Sequence, residues 1–287
     1  METKISRRDF LQYGAGAIAG LGLGAGGLWL FNDYQERNQT LANKLLEEFP
    51  NQIPGARSVE KQKVRGANKT LVHVRQAHEQ EGIIPLNELL AKKDLTPEEK
   101  RNYARAVVNR FREISNNQED IYSVLDYLIK NKGLNEIYSE GVSKSSENDV
   151  NAMAGELHEL AINRVFSIGY FGEELDEKTR NLLYFIPGAD KILSSKGRIK
   201  IRGCETDALN DIVYGLRNGD RELYNAGNSL REDAALDIIS QNTNPLNVIV
   251  YGGEHRWLDN IHAWNQKNPT KKYSLVEVTP ESYRRRE

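Results

Sequence analysis

The chain has 287 residues, with 39 Lys and Arg against 41 Asp and Glu and a formal net charge of −2 at pH 7. That balance gives no electrostatic footprint for nucleic acid. The single cysteine, Cys204, excludes an intramolecular disulfide and a cysteine-based zinc site, and it lies far from any lipidation position.

At the start of the chain, Ser6-Arg7-Arg8-Asp9-Phe10-Leu11-Gln12 precedes an uncharged run, Tyr13–Phe31, rich in Gly, Ala and Leu. Paired arginines, an aromatic residue two positions on and then Leu resemble a twin-arginine export signal. The resemblance implies Arg7, Arg8, Phe10 and Leu11 as the residues presented to the twin-arginine translocase. It also implies a domain carried across the cytoplasmic membrane already folded, to work in the periplasm or another extracytoplasmic space. The apolar run is just long enough to span a bilayer, its glycines lower its hydrophobicity, and no Ala-x-Ala site follows. Cleavage near Gly26–Asn32 and retention as an N-terminal anchor are therefore both open. In either case membrane contact is expected only through residues 1–31. Lys4, Arg7 and Arg8 against Glu2 and Asp9 make that segment net +1, so residues 32–287 carry −3. They are numerous enough for one large domain with a substantial core, which must hold without disulfides.

Residues 32–69 are polar and read as a connector. One amphipathic stretch, Leu41, Leu45, Leu46 and Phe49, predicts a short helix before a linker over Asn51–Lys69. From residue 70 to 287 the chain alternates strand and helix signals, which predicts a single α/β domain. Leu71–Val74 is a β-rich run. Thr96-Pro97-Glu98-Glu99 is a helix start, with Thr as N-cap, Pro at the first helical position and acids in the first turn. Helical spacing follows in Tyr103, Val107, Val108 and Phe111, and again in Ile121, Val124, Leu125 and Leu128, with Gly133 as the C-cap. Further strands are predicted at Glu136–Tyr138, Arg198–Ile201, Asn247–Tyr251 and Tyr273–Val278. Helices are predicted over Asp149–Phe166, Asp207–Leu216, Leu230–Ser240 and around Ile261–Trp264. Strands separated by helices imply right-handed crossovers and a mostly parallel sheet of about five strands flanked by helices. A long all-helical insertion is expected between the first two strands. The terminal Arg284-Arg285-Arg286 reads as a solvated tail.

In an open parallel sheet, ligands bind outside the carboxyl ends of the strands. The residues leaving the predicted strands are Gln76-Ala77-His78-Glu79, Glu140-Gly141, Gly203-Cys204-Glu205 and Gly252-Gly253-Glu254-His255. Two histidines and several carboxylates thus stand at four strand exits, each beside a small residue that lets the backbone bend. Independent surface residues have no reason to coincide with strand ends.

This ordered set resembles the superfamily that contains TraB/Tiki, erythromycin-esterase-like and ChaN-like proteins. The family carries a His motif after its first strand, interior Glu-Gly and Gly-x-Glu motifs, and a second Gly-x-x-His near the C-terminus. Gly252-Gly253-Glu254-His255, Glu140-Gly141 and Gly203-Cys204-Glu205 match, and Arg231 resembles an arginine on the helix before the fourth strand. The first motif departs: Arg75-Gln76-Ala77-His78 keeps the histidine but has Arg in place of Gly and Gln in place of Glu. The resemblance spans roughly Thr70–Thr279.

Such a set suits hydrolysis of an ester or amide in a small-molecule or peptide substrate. His78, His255, Glu140 and Glu205 could hold a divalent metal (Zn, Mn, Co or Fe) that acidifies a water. Without metal, a histidine could act as general base on water with a glutamate orienting it. Arg231 would then bind a substrate carboxylate or an oxyanion. Two other readings stay open. One is a ChaN-like haem- or iron-binding envelope protein without turnover, with Tyr138 or Tyr251 among the ligands. The other is a decayed, non-catalytic member, suggested by Arg75 and Gln76. His73, His158 and His262 are read as structural, Cys204 as a buried small side chain, and Trp257 and Trp264 as packing residues.

Overall fold

The computed structural model describes residues 37, 39–77, 95–156, 184–185, 188–209, 213, 221–255 and 257–284. The expected export signal, with Arg7, Arg8, Phe10 and Leu11, lies outside them, as do His78, Glu79 and His158. Among the described residues no helix is long and apolar enough to cross a membrane.

The elements run β1 (Ala56–Gln62), β2 (Lys69–Gln76), α1 (Pro97–Lys132), β3 (Glu136–Ser143), α2 (Glu147–Ala152), α3 (Ala189–Ser195), β4 (Lys200–Glu205), α4 (Arg221–Ser240), β5 (Leu246–Gly252), α5 (Trp257–Lys267) and β6 (Tyr273–Pro280). They build one α/β architecture around a six-stranded sheet of order β1-β6-β2-β5-β3-β4. The β2–β6, β2–β5, β3–β5 and β3–β4 pairs are parallel, and only β1 runs antiparallel, against β6.

Alternation along the strands sorts the side chains into two cores. Val72, Val74, Val248, Val250, Val276 and Val278 face α1 and α3, together with Leu46, Phe49 and Ile53. Leu71, Ile249, Tyr251, Tyr273 and Leu275 face α4 and α5, against Ala235, Leu236, Ile239, Trp257 and Ile261. Central strands covered on both faces read as continuous β-branched runs, which is why β5 and β6 were plain in the sequence.

The sheet has six strands rather than the expected five. The additional strand, β1, lies in Asn51–Lys69, the stretch expected to be linker. Its residues are mostly polar because it is an edge strand, and its place is fixed by backbone pairing to β6 from Ser58↔Thr279 to Gln62↔Leu275. In the preceding helical stretch, residues 39–47, Ala42 and Leu46 are buried, as is Phe49 just after it, while Leu41 is exposed. The α/β core therefore begins well before residue 70.

Between β2 and β3 the described chain is one 36-residue helix rather than two. It opens on the predicted cap: Thr96 N–H donates to Glu99 Oε2 at 2.7 Å, and Glu99 N–H donates to Thr96 Oγ1 at 3.3 Å. It closes at Gly133 in the left-handed conformation. This helix packs on β1, β2, β6 and α3 as a crossover, so its described part is no separate insertion. Residues 78–94 lie outside the described residues.

Candidate functional site

Three strand ends and one helix bring the site together. On β3, Glu140 precedes Gly141, whose φ of +75° favours glycine, and the β3–β4 register shifts between Ser139 and Ser143. This bulge breaks the ladder where the carboxylate must leave the strand. On β5 the Gly252 N–H donates to Glu140 Oε2 at 2.6 Å, and the Gly253 N–H donates to the Gln76 carbonyl at 2.9 Å. A Cβ on Gly253 would lie 2.3 Å from the ring of Tyr283, a residue only 3% exposed. The paired glycines thus let β5 pass beneath Tyr283 while its backbone anchors Glu140.

Arg231 reaches this edge from α4. Its Nη2 donates to Glu205 Oε1 at 2.5 Å and to Glu140 Oε1 at 3.2 Å. Its guanidinium lies 5.6 Å from the centroid of the Tyr251 ring. The Tyr251 hydroxyl donates to the same Glu205 oxygen at 2.7 Å. Glu205 is 2% exposed, and its Oε2 has no hydrogen-bond partner among the described residues.

His255 follows β5 by three residues. Its Nδ1 lies 2.5 Å from Glu232 Oε1, and its Nε2 lies 3.6 Å from Glu140 Oε1. Its ring meets the Tyr251 ring edge-on at 4.5 Å. Burial pushes the imidazole toward its neutral form, but the carboxylates of Glu140 and Glu232 outweigh burial and lift its pKa to about 9. His255 is therefore an imidazolium at neutral pH. Burial, reinforced by Glu140 and Glu205, drives the Tyr251 hydroxyl well above its ordinary value and keeps it a hydrogen-bond donor. Burial raises the pKa of Tyr273, which pairs with Lys69 at the other end of β2, likewise, and it raises the Cys204 thiol, which is fully buried and inert as a nucleophile.

The structure brings together His255, Glu140, Glu205 and Arg231, all four of the sequence-predicted site residues that lie within the described chain. It adds Glu232, which carried no strand-end signal, and Tyr251, which the sequence offered only as an iron ligand in the haem- or iron-binding reading. Tyr138 is elsewhere: its hydroxyl accepts from Asn242, in the turn before β5, at the opposite edge of the sheet. His73 is fully buried, as a structural histidine, with Nε2 3.1 Å from the Tyr251 carbonyl. Trp257 is fully buried beneath the site, and Trp264 donates to the Lys271 carbonyl.

Of the residues expected to hold a metal, His78 lies outside the described residues, and the other three as placed fit a divalent ion poorly. Glu140 and Glu205 already share a guanidinium, so a divalent ion between them would sit against a fixed positive charge. Nor do the tyrosines suit iron or haem, since Tyr251 is buried and bonded to Glu205 while Tyr138 faces away. Among the described residues no group of three or more His, Cys, Asp or Glu side chains is arranged to hold a metal ion.

Compared with known proteins, the chain matches no family model, no curated protein and no solved structure.

Proposed function

We propose that this chain is an exported hydrolase of an ester or amide bond, working without metal through Glu140 and His255. One observation carries the reading: an imidazolium clasped between two carboxylates at the carboxyl edge of a parallel sheet, 2.5 Å from Glu232 and 3.6 Å from Glu140. Two groups of opposite character this close can act on one reacting centre as base and acid. The resemblance of the strand-end motifs supports the same reaction class.

In this reading Glu140 takes a proton from water as the water oxygen attacks the acyl carbon. His255 donates its Nε2 proton to the departing alkoxide or amide nitrogen as the acyl–heteroatom bond breaks. The carboxylic acid at Glu140 then returns its proton to His255, so acid and alcohol (or amine) leave and the site is restored. Glu232 orients the ring through Nδ1 and keeps it charged. Arg231, with Glu205 and Tyr251 behind it, fixes Glu140. His255 thereby serves as the acid, where the sequence suggested a base.

The test is a screen of the full chain on ester and peptide substrates. Glu140→Gln and His255→Ala should each lower kcat/KM by about 10²–10⁴-fold. A wild type no more active than the Glu140→Gln/His255→Ala double variant would overturn the hydrolase and leave the non-catalytic reading. Export is tested separately. Arg7→Lys with Arg8→Lys should leave the protein in the cytoplasm, and normal export of that variant would remove the twin-arginine assignment.

A further inference from the structure

We infer that Arg75, rather than Arg231, is the residue through which this site holds a carboxylate of its substrate, so that anionic esters or amides are the preferred class. The inference rests on the hydrolase reading above. Arg231 is the more heavily engaged: it donates to Glu205, Glu140 and Asn228 and lies on the Tyr251 ring, although its Nε, like that of Arg75, has no hydrogen-bond partner among the described residues. His255 is held by Glu232 and Glu140. Three carboxylates thus surround two cations, and an anion gains nothing by approaching them.

Arg75 stands differently. It pairs in register with Tyr251 on the neighbouring parallel strand, which places it on the same face of the sheet about 4.8 Å away along the hydrogen-bonding direction. Tyr251 is the residue whose ring touches His255. The Arg75 side chain is 23% exposed, against 11% for Arg231. Among the described residues it meets Glu277 through Nη2 alone, at 2.9 Å to one oxygen, and its buried Nε has no hydrogen-bond partner. A guanidinium matches a carboxylate with two parallel donors, and a buried donor without an acceptor is uncommon. The one-oxygen pairing with Glu277 orients Arg75 and leaves donors for a second carboxylate. With Glu277 beside it, a single guanidinium suits a singly charged group. The arginine that departs from the strand-end motif thus becomes a specificity residue.

The test compares mono-(4-nitrophenyl) succinate with the neutral 4-nitrophenyl acetate on the full chain. Wild type should favour the anionic ester at least tenfold in kcat/KM, and Arg75→Gln should abolish that ratio. Because Arg75→Gln leaves Glu277 without its partner, Arg75→Gln with Glu277→Gln removes both ends of the pair and should abolish the ratio equally. A ratio that survives in either folded variant, or that wild type lacks, overturns the inference. If wild type cleaves neither ester, the hydrolase reading fails in this assay and Arg75 is judged by calorimetric binding of succinate. Binding that Arg75→Gln removes supports the assignment, and a wild type that binds no succinate overturns it.

Discussion

Single residues set the charge state of the site. Because the folded pKa of His255, about 9, exceeds its ordinary 6.5, its pairing stabilises the fold fully below pH 6.5 and is lost as pH rises through 9. Urea unfolding of the wild type should therefore show stability falling across that window, and Glu232→Gln should flatten the fall. The same protonation state governs the proposed catalysis. Activity should disappear as pH rises through about 9, and Glu232→Gln should move that limb to lower pH. A rate that instead climbs through pH 9 would make His255 the base. Glu277 behaves oppositely. The neighbouring His73 and then Arg75 hold its carboxyl at about 2. Arg75 makes the hydrogen bond, whereas His73 Nδ1, at 3.8 Å, acts through space. Its contribution is present above pH 4.5 and lost as pH falls toward 2, so Glu277→Gln should remove that part of acid unfolding. His255, Glu140 and Glu205 were legible in the sequence because each sits within two residues of a glycine at a strand exit. Glu232 was not, since a helix carboxylate has no local mark. Its spacing with Leu236 and Ile239 along the buried face of α4 was the available signal, a charge interrupting an apolar stripe.

Elements were read well where their chemistry is local. The Thr96 capping box is made by residues three apart, and Thr96→Ala should lower stability by about 1 kcal/mol in chemical unfolding. The strand glycines depend instead on what lies opposite. Gly253→Ala would drive a methyl group into the buried Tyr283 ring, and an overpacking cost of about 1–3 kcal/mol is expected. The Gly253→Ala/Tyr283→Ala pair should recover the part of the loss that comes from the clash. Gly141 has open space around its Cα, so its requirement is the backbone angle alone. Two amphipathic segments were expected where α1 runs unbroken from Pro97 to Lys132. The buried Asn117 on this helix accepts from the Ala77 N–H and so ties the middle of α1 to the end of β2.

At the scale of the molecule, the polar stretch before residue 70 belongs to the fold. Leu46, Phe49 and Ile53 are buried against the sheet, each worth about 1.5–3 kcal/mol, and β1 covers the edge of β6. Together they approach the whole margin of an ordinary domain, about 5–15 kcal/mol. A chain starting at residue 32 should melt cooperatively by circular dichroism, and one starting at residue 69 should not. The sequence by itself determined the α/β class, the central parallel strands, the caps of α1 and which strand ends carry charge, because periodicity, capping and glycine placement act between near neighbours. Only the tertiary structure decided that β1 joins the sheet, that Glu232 and Tyr251 complete the site, that Arg231 neutralises the carboxylates expected to bind metal, and that His255 is charged. Those outcomes depend on burial and on Coulomb interactions between residues far apart in the chain, which no local pattern records.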